Sequence, residues 1–522
     1  MPGVAAPTFT TTRAQLADDP IVGAALARTR ASMPARISEL ADWLAIPSVS
    51  GSSRHERDLR RAARFLEDHL RYAGATIRRL TTGGAAVIVG YTPGPRGSPV
   101  VVVYGHYDVQ PAGPGWTSPA FRPNLVGGSL VARGANDDKG QLFAVIAALR
   151  AWRESGGVPS TVVVIGEGAE EVGSPGLGKA LAVIAQRVRP DVVLVCDTER
   201  GADDVPAVTI SQRGHAVLSL RVDVGGQPVH AGRLGGAVVD PSMVLAQVLL
   251  RMQAAVLGMT RGRRQKPDHV SHGGPLVQTR GNSVIRRLTG GRATLDGDLD
   301  RRISTDAVLS VVQLRAGIGR AAVPSQAEAR LDVRLPAGVD VRMAVGKLAR
   351  VARATAPTGV VVEVVADAMS PGYAEMPHKK ALVAAGNACR AVYGRPLSLV
   401  RSGGTLPAAG LLAQAFGIAP VLLGLGTPGG GAHGPDERLD LAGWARAVWL
   451  LVRLLARPVA EATRDDWRGL QRTRLKRLSK TYAIGCPCDG AIKQRVWSSY
   501  ELPSTGCLWQ SPELSAAGTG VP

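Results

Sequence analysis

The stretch Val100-Val-Val-Val-Tyr-Gly-His106-Tyr-Asp108 decides the fold. Its apolar run stops abruptly at a glycine and a histidine, with an aspartate two residues on. A continuous valine run predicts a strand covered on both faces, as in a parallel sheet. Open α/β sheets place ligand chemistry just beyond the carboxyl ends of such strands. The pattern recurs three times. Thr161–Ile165 runs into Glu167, Glu170 and Glu171; Asp191–Val195 runs into Asp197; Val421–Leu425 leads through a glycine-rich loop to His433. Carboxylates and imidazoles delivered from four strand ends are the donors a divalent metal site requires.

At 522 residues the chain is long enough for more than one domain. Hydrophobic content of 45% with 20% charged residues fits a globular protein. The formal charge of +20 would permit contact with nucleic acid. Its basic residues are scattered, however (Arg60-Arg61, Arg261 to Lys266, Arg472 to Lys480), and no aromatic-interleaved module accompanies them. No nucleic-acid partner is expected. The five cysteines, Cys196, Cys389, Cys486, Cys488 and Cys507, are odd in number, which argues against a disulfide scaffold. The N-terminus lacks the basic and apolar regions of a signal peptide. No apolar run reaches the roughly 18 residues of a membrane helix. The expectation is a cytoplasmic protein without a membrane partner.

Helices are predicted around Ile37–Leu44, Arg54–Tyr72, Gly140–Trp152 and Leu177–Arg187, alternating with strands up to Cys196. That alternation predicts βαβ crossovers with helices on both sheet faces. From Ala207 the pattern becomes alternating, as in Val217–Val224 and Ala327–Leu335, with helices at Pro241–Val256 and Met343–Ala354. This β-α-β-β-α-β order predicts a one-face-covered, ferredoxin-like α+β sheet inserted into the first domain. The fold class is therefore α/β, a mixed, mostly parallel sheet flanked by helices and carrying an insertion. The expected division is residues 1–207 and 372–460 for the catalytic domain, 208–371 for the inserted domain, and 461–522 for a basic, poorly ordered extension. Gly258 to Arg302 reads as loops.

In His106-x-Asp108 the two side chains point the same way along a strand, so the aspartate can orient the imidazole. Alone, this would pass for a satisfied histidine in a turn. Asp137-Asp138 precedes a helix, where acids also serve as caps or dipole complements; a carboxylate there can equally bridge two cations. Glu170-Glu171 places two repelling carboxylates side by side, which cations would neutralise. One could bind metal while its neighbour acts as general base.

These motifs, in this order, resemble the co-catalytic metallopeptidase family of carnosinase-type dipeptidases, aminoacylases, acetylornithine deacetylase and succinyl-diaminopimelate desuccinylase. The resemblance runs from about Arg36 to Arg457. It includes Gly105 to Pro111, Arg133 to Gly140, Glu167 to Ser174, Val229 to Gly236, Arg401 to Pro407 and the His433 loop. It implies one metal held by His106 and Asp197, a second by Glu171 and His433, and Asp137 bridging them. It further implies Glu170 as general base and Asp108 as the residue that orients His106. The inserted domain would form a homodimer and lend His230 to the neighbouring subunit's site. Arg334 and the Gly403-Gly404-Thr405 turn would grip a substrate's terminal carboxylate. Two divalent ions are implied, zinc first, with manganese or cobalt as alternatives. The aspartate at 197 is similar to the dipeptidase branch, which makes a dipeptide the expected substrate. The alternatives are an N-acyl-amino-acid deacylase and a non-catalytic dimeric binding protein. The chain departs from its relatives in His433-Gly-Pro-Asp436-Glu437, where serine commonly follows the histidine and asparagine precedes the glutamate.

Overall fold

The computed structural model describes residues 19–201, 204, 206–261, 299–317 and 319–459. The expected extension at 461–522, most of the Gly258–Arg302 stretch and Cys486, Cys488 and Cys507 lie outside the described residues. The strands, in chain order, are β1 (Thr76–Leu80), β2 (Val87–Thr92), β3 (Val100–His106), β4 (Asn124–Val126), β5 (Ser129–Val131), β6 (Thr161–Glu167), β7 (Val192–Val195) and β8 (Ala207–Gln212). There follow β9 (Gly214–Asp223), β10 (Val229–His230), β11 (Val308–Ala316), β12 (Ala322–Val323) and β13 (Gln326–Leu335). The series closes with β14 (Val361–Ser370), β15 (Ser398–Ser402), β16 (Val421–Leu423) and β17 (Arg438–Asp440).

The main sheet has eight strands in the order β1-β2-β6-β3-β7-β16-β8-β15. Its centre is parallel: β3 pairs in parallel with β6 and β7, and β16 with β7. The valine run alternates between two cores. Val101 and Val103 join the side covered by the helices Pro20–Leu44, Lys139–Arg153 and Leu441–Ala456, while Val102 and Tyr104 join the side covered by Leu177–Ala185 and Pro407–Phe416. Burial on both faces is what an uninterrupted valine strand requires.

A second sheet, ordered β11-β13-β9-β14, is antiparallel throughout. Its strands and the helices Pro241–Arg261 and Val341–Thr355 follow the β-α-β-β-α-β order, and one face builds a separate core around Leu218, Leu220, Val248, Leu331 and Leu348. Strand β8 belongs to the main sheet, so the expected boundary at residue 208 falls inside it and the second sheet starts at Gly214.

Three expectations need correction. The first helix begins at Pro20, with Asp19 capping the N–H of Ile21, because a cap and a proline at its first position start it well before Ile37. Strand β1 was not foreseen; Thr-Ile-Arg-Arg-Leu carries too many charges to stand out as a strand by composition. The helix Pro241–Thr260 is long and apolar enough to cross a membrane, with a mean hydropathy of 1.5 over its best window, against the expectation that no such run exists. In the fold, Val244, Leu245, Val248, Met252 and Val256 of this helix pack into the second sheet's core.

Candidate metal centre

Strands β6, β3, β7 and β16 are consecutive neighbours and mutually parallel, so their carboxyl ends share one edge of the sheet. His106 is the last residue of β3 and fully buried. Glu170 and Glu171 sit in a short turn of helix three residues beyond β6. Asp197 follows β7 by two residues, and His433 lies in the loop after β16. Asp137 comes from the loop entering the helix Lys139–Arg153.

Two groups of potential ligands result, His106 with Asp137 and Asp197, and Asp137 with Glu171 and His433; within each, the donor atoms lie within 4.8 Å of one another. Asp137 belongs to both. Its Oδ1 is 3.0 Å from His106 Nε2 and its Oδ2 is 3.2 Å from His433 Nε2. Asp197 Oδ2 is 3.8 Å from His106 Nε2, and Glu171 Oε2 is 3.1 Å from His433 Nε2.

The electrostatics call for cations. Burial, with the negative charges of Asp197, Glu171 and Asp137, pushes the Glu170 carboxyl well above its usual range, against a downward pull from His106. Burial and neighbouring carboxylates do the same to Asp197. Hydrogen bonds with Asp137 and Glu171 push His433 up to about 11. Asp137 is held well below the usual range because His106 and His433 outweigh its burial. In each ligand group an imidazole nitrogen stands between carboxylates, which is where a divalent ion satisfies the same charges. Imidazole nitrogen and carboxylate oxygen together suit a borderline divalent ion, and the residues fit one in each group.

The supporting bonds refine the reading of Asp108. The nearer partner of His106 Nδ1 is the carbonyl of Asp108 at 3.0 Å, with the carboxylate Oδ1 at 3.4 Å. That carboxylate accepts from the backbone N–H groups of Glu170 (3.2 Å) and Glu171 (3.0 Å), so it fixes the glutamate turn as well. Gln110 Nε2 donates to Glu171 Oε2 at 2.8 Å. The adjacent acids divide their work. Asp137 faces the ligand groups, whereas Asp138 Oδ2 accepts the backbone N–H of His106 at 2.9 Å, and its side chain makes no cap to the helix. Glu167 is buried and accepts from Tyr104 (2.6 Å) and Ser174 (3.0 Å); burial pushes its carboxyl up to about 7.

Sequence reasoning missed Gln110, Arg133 and Glu437 as supports. Glu437 had a signal, an acid four residues after His433, yet acids in glycine-rich loops are ordinarily solvated. Here it is fully buried.

The residues expected to grip a carboxylate form a second cluster. Arg334 Nη1 donates to Thr405 Oγ1 at 3.2 Å, and Thr405 Oγ1 donates to the carbonyl of Arg213 at 2.6 Å. Gly403 accepts from Arg213 Nε at 3.1 Å, and the Gly404 N–H donates to Ser402 Oγ at 3.1 Å. Asp332 binds Arg334 through both oxygens and His215 at 2.8 Å. His230 stands exposed at the end of β10 and belongs to neither ligand group.

A sheet edge carrying paired His–carboxylate groups, with the half-buried Glu170 beside them, has the make-up of a metal-dependent hydrolase. The profile of peptidase family M20/M25/M40 matches residues 102–457, and the chain belongs to that family. It is 28% identical over 425 residues to the cysteinylglycine-S-conjugate dipeptidase of Corynebacterium striatum, which spans 77% of this chain and 90% of that protein. Among solved structures it shares the fold of the dipeptidase Dug1p of Saccharomyces cerevisiae, at a TM-score of 0.70 and 22% identity, covering 83% of this chain and 98% of that one. Human carnosine dipeptidase 1 has the same fold, with a TM-score of 0.68, 21% identity, and 83% and 99% of the two chains covered.

Proposed function

We propose that the chain hydrolyses the amide bond of dipeptides or small peptides at a two-cation site, with zinc as the native metal and manganese or cobalt as substitutes. The observation that carries this reading is the pair of ligand groups sharing Asp137. His106 and Asp197 would hold one ion, Glu171 and His433 the other, and Asp137 both. When bound, such ions supply Lewis acidity and lower the pKa of the attacking water. Glu170 takes the proton of that water and returns it to the departing amine. Asp108 holds the turn from which Glu170 projects. Arg334, with Gly403, Gly404 and Thr405, receives the terminal carboxylate of the substrate. His230, lent to the neighbouring subunit, donates a hydrogen bond to the developing oxyanion.

The homodimer this requires has support in the second sheet. Strand β11 is an edge strand whose Val311, Val312 and Leu314 are exposed, and such edges pair readily. Met243, Leu250 and Leu257 recur at seven-residue spacing on the exposed side of the helix Pro241–Arg261. The expected compartment is the cytoplasm.

The test is turnover by metal-loaded protein on free dipeptides beside N-acetyl and N-succinyl amino acids, with metal content measured after purification without chelators. Cleavage of dipeptides is the expected result. Activity on the acylated set alone would make the protein a deacylase. No stoichiometric metal, and no rescue by Zn²⁺, Mn²⁺ or Co²⁺, would make it a binding protein.

A further inference from the structure

We infer that the buried Arg133–Glu437 pair is a positioning device that sets the second ligand group, fixing both Asp137 and His433 from one point. Glu437 is fully buried and Arg133 nearly so. The pair joins loops some three hundred residues apart in sequence, at 2.7 Å between Arg133 Nη1 and Glu437 Oε2. Both side chains also bond the backbone of the loops that carry the ligands. Glu437 Oε2 also accepts the N–H of Gly134 at 3.0 Å, while Oε1 accepts those of Asn136 at 2.8 Å and Asp137 at 3.0 Å. The loop presenting Asp137 is therefore wound around one carboxylate. From the other side, Arg133 Nη2 donates to the carbonyls of Pro111 at 3.2 Å, Ala112 at 3.4 Å and His433 at 3.2 Å.

The His433 end needs such a hold. His433 has a φ of 62° and Asp436 a φ of 53°, left-handed conformations that cost a side-chain-bearing residue energy and persist only when surroundings impose them. The clasp on the His433 carbonyl, with Asp436 Oδ1 accepting from the backbone and hydroxyl of Thr117 at 3.0 and 2.9 Å, supplies that constraint. The two ligand groups depend on it unequally. In the second group both Asp137 and His433 hang from the pair, and only Glu171 has independent supports in Asp108 and Gln110. In the first group only Asp137 does, because His106 is set by the end of β3 and the Asp108 carbonyl.

This inference rests on the two-cation reading, and the experiment separates the two. Apo protein is titrated with Co²⁺, following its visible absorption, and metal stoichiometry is measured in parallel on wild type, Glu437→Gln and Arg133→Lys. Glutamine keeps the size of Glu437 but turns one acceptor into a donor facing backbone N–H groups; lysine keeps the charge of Arg133 but loses the fork. Two phases are expected in the wild type. In both variants the second phase should weaken about 10- to 100-fold, the range for residues that orient metal ligands, while the first is largely kept. Leu451→Ala, a core truncation in the helix Leu441–Ala456, should lower the melting temperature and leave both phases intact. A wild type that takes up no second ion would overturn the two-cation reading itself. With two phases in the wild type, this inference alone falls if the folded variants keep both affinities or lose both equally. Should Glu437→Gln fail to fold, Arg133→Lys decides.

Discussion

Replacing Asp108 by asparagine separates two tasks that one residue performs. Its side chain is fully buried, and the carboxylate takes the N–H groups of Glu170 and Glu171, while His106 Nδ1 is met chiefly by the backbone carbonyl. Asparagine leaves that carbonyl in place, so His106 and its ligand group should survive. The amide can accept only one of the two N–H groups and turns a donor toward the other. A hydrogen bond to a charged group is worth about 1.5–3 kcal/mol, and a buried donor left without an acceptor costs about 1–3 kcal/mol. A loss near 2.7 kcal/mol in the placement of Glu170 corresponds to about 10²-fold in kcat/KM. The assay is kcat/KM on a dipeptide at saturating divalent metal, with metal content measured on the same sample. The expected result is both ions retained at saturation and turnover reduced about 10²-fold. Wild-type turnover would refute the reasoning. So would loss of the ion at His106 with retention of the other, since that would make the carboxylate, and not the carbonyl, the support of the imidazole.

Glu170→Ala should keep both ions and lose about 10²–10⁴-fold in turnover, the usual worth of a general base; near-normal activity with metal bound would remove the assignment. Gly105→Ala should disturb the site from behind: a Cβ there would lie 2.6 Å from Asp138 Oδ2, the acceptor for His106 N–H. Overpacking of this kind costs about 1–3 kcal/mol, read as a lower thermal midpoint. Burial opposes ionisation of Asp332, but hydrogen bonds from His215 and Arg334 bring its carboxyl down to about 2. Because the folded value lies below the unfolded one, the stabilisation is complete above about pH 4 and is lost as pH falls toward 2, at a worth of about 2 kcal/mol. Urea unfolding of Asp332→Asn against wild type should show a gap at pH 6 that shrinks by pH 2.5; a constant gap would contradict the linkage.

The strand ends were legible in the sequence because a doubly buried parallel strand must be continuously apolar, and its end is where polarity returns. Val100–Gly105 and Thr161–Ile165 announced β3 and β6 in that way. The flanking strand β1 was not legible, since an edge strand can carry arginines on its open side. The helix Pro241–Arg261 is legible as a helix, and its apolar content serves the second sheet's core. The candidate ligands whose atoms converge stand out in the sequence because their types are the rarer ones, histidine and paired acids. Gln110, Arg133 and Glu437 were missed because they only support ligands, Gln110 through the Glu171 carboxylate and the other two largely through backbone. Residue type at a given position says little about whether its partners are solvent or carbonyls a hundred or more residues away.

The arrangement of the main sheet explains why so many separate segments can cooperate at one point. A ligand set drawn from one hairpin would inherit that hairpin's freedom. Here β6, β3, β7 and β16 run parallel side by side, and each crossover buries a helix, so the strand ends are fixed relative to one another by the two cores beneath them. The cost falls on the loops, which must turn several carboxylates toward one place. The observed solution gives each turn its own buried counterpart. Asp108 serves the Glu170-Glu171 turn, Asp138 the N–H of His106, and Glu437 with Arg133 the loops of Asp137 and His433. Each counterpart is itself buried, the three acids accepting from backbone N–H groups and Arg133 donating to backbone carbonyls, so the ligands can be held near one another before any cation arrives, and the repulsion between them becomes the site's affinity for one.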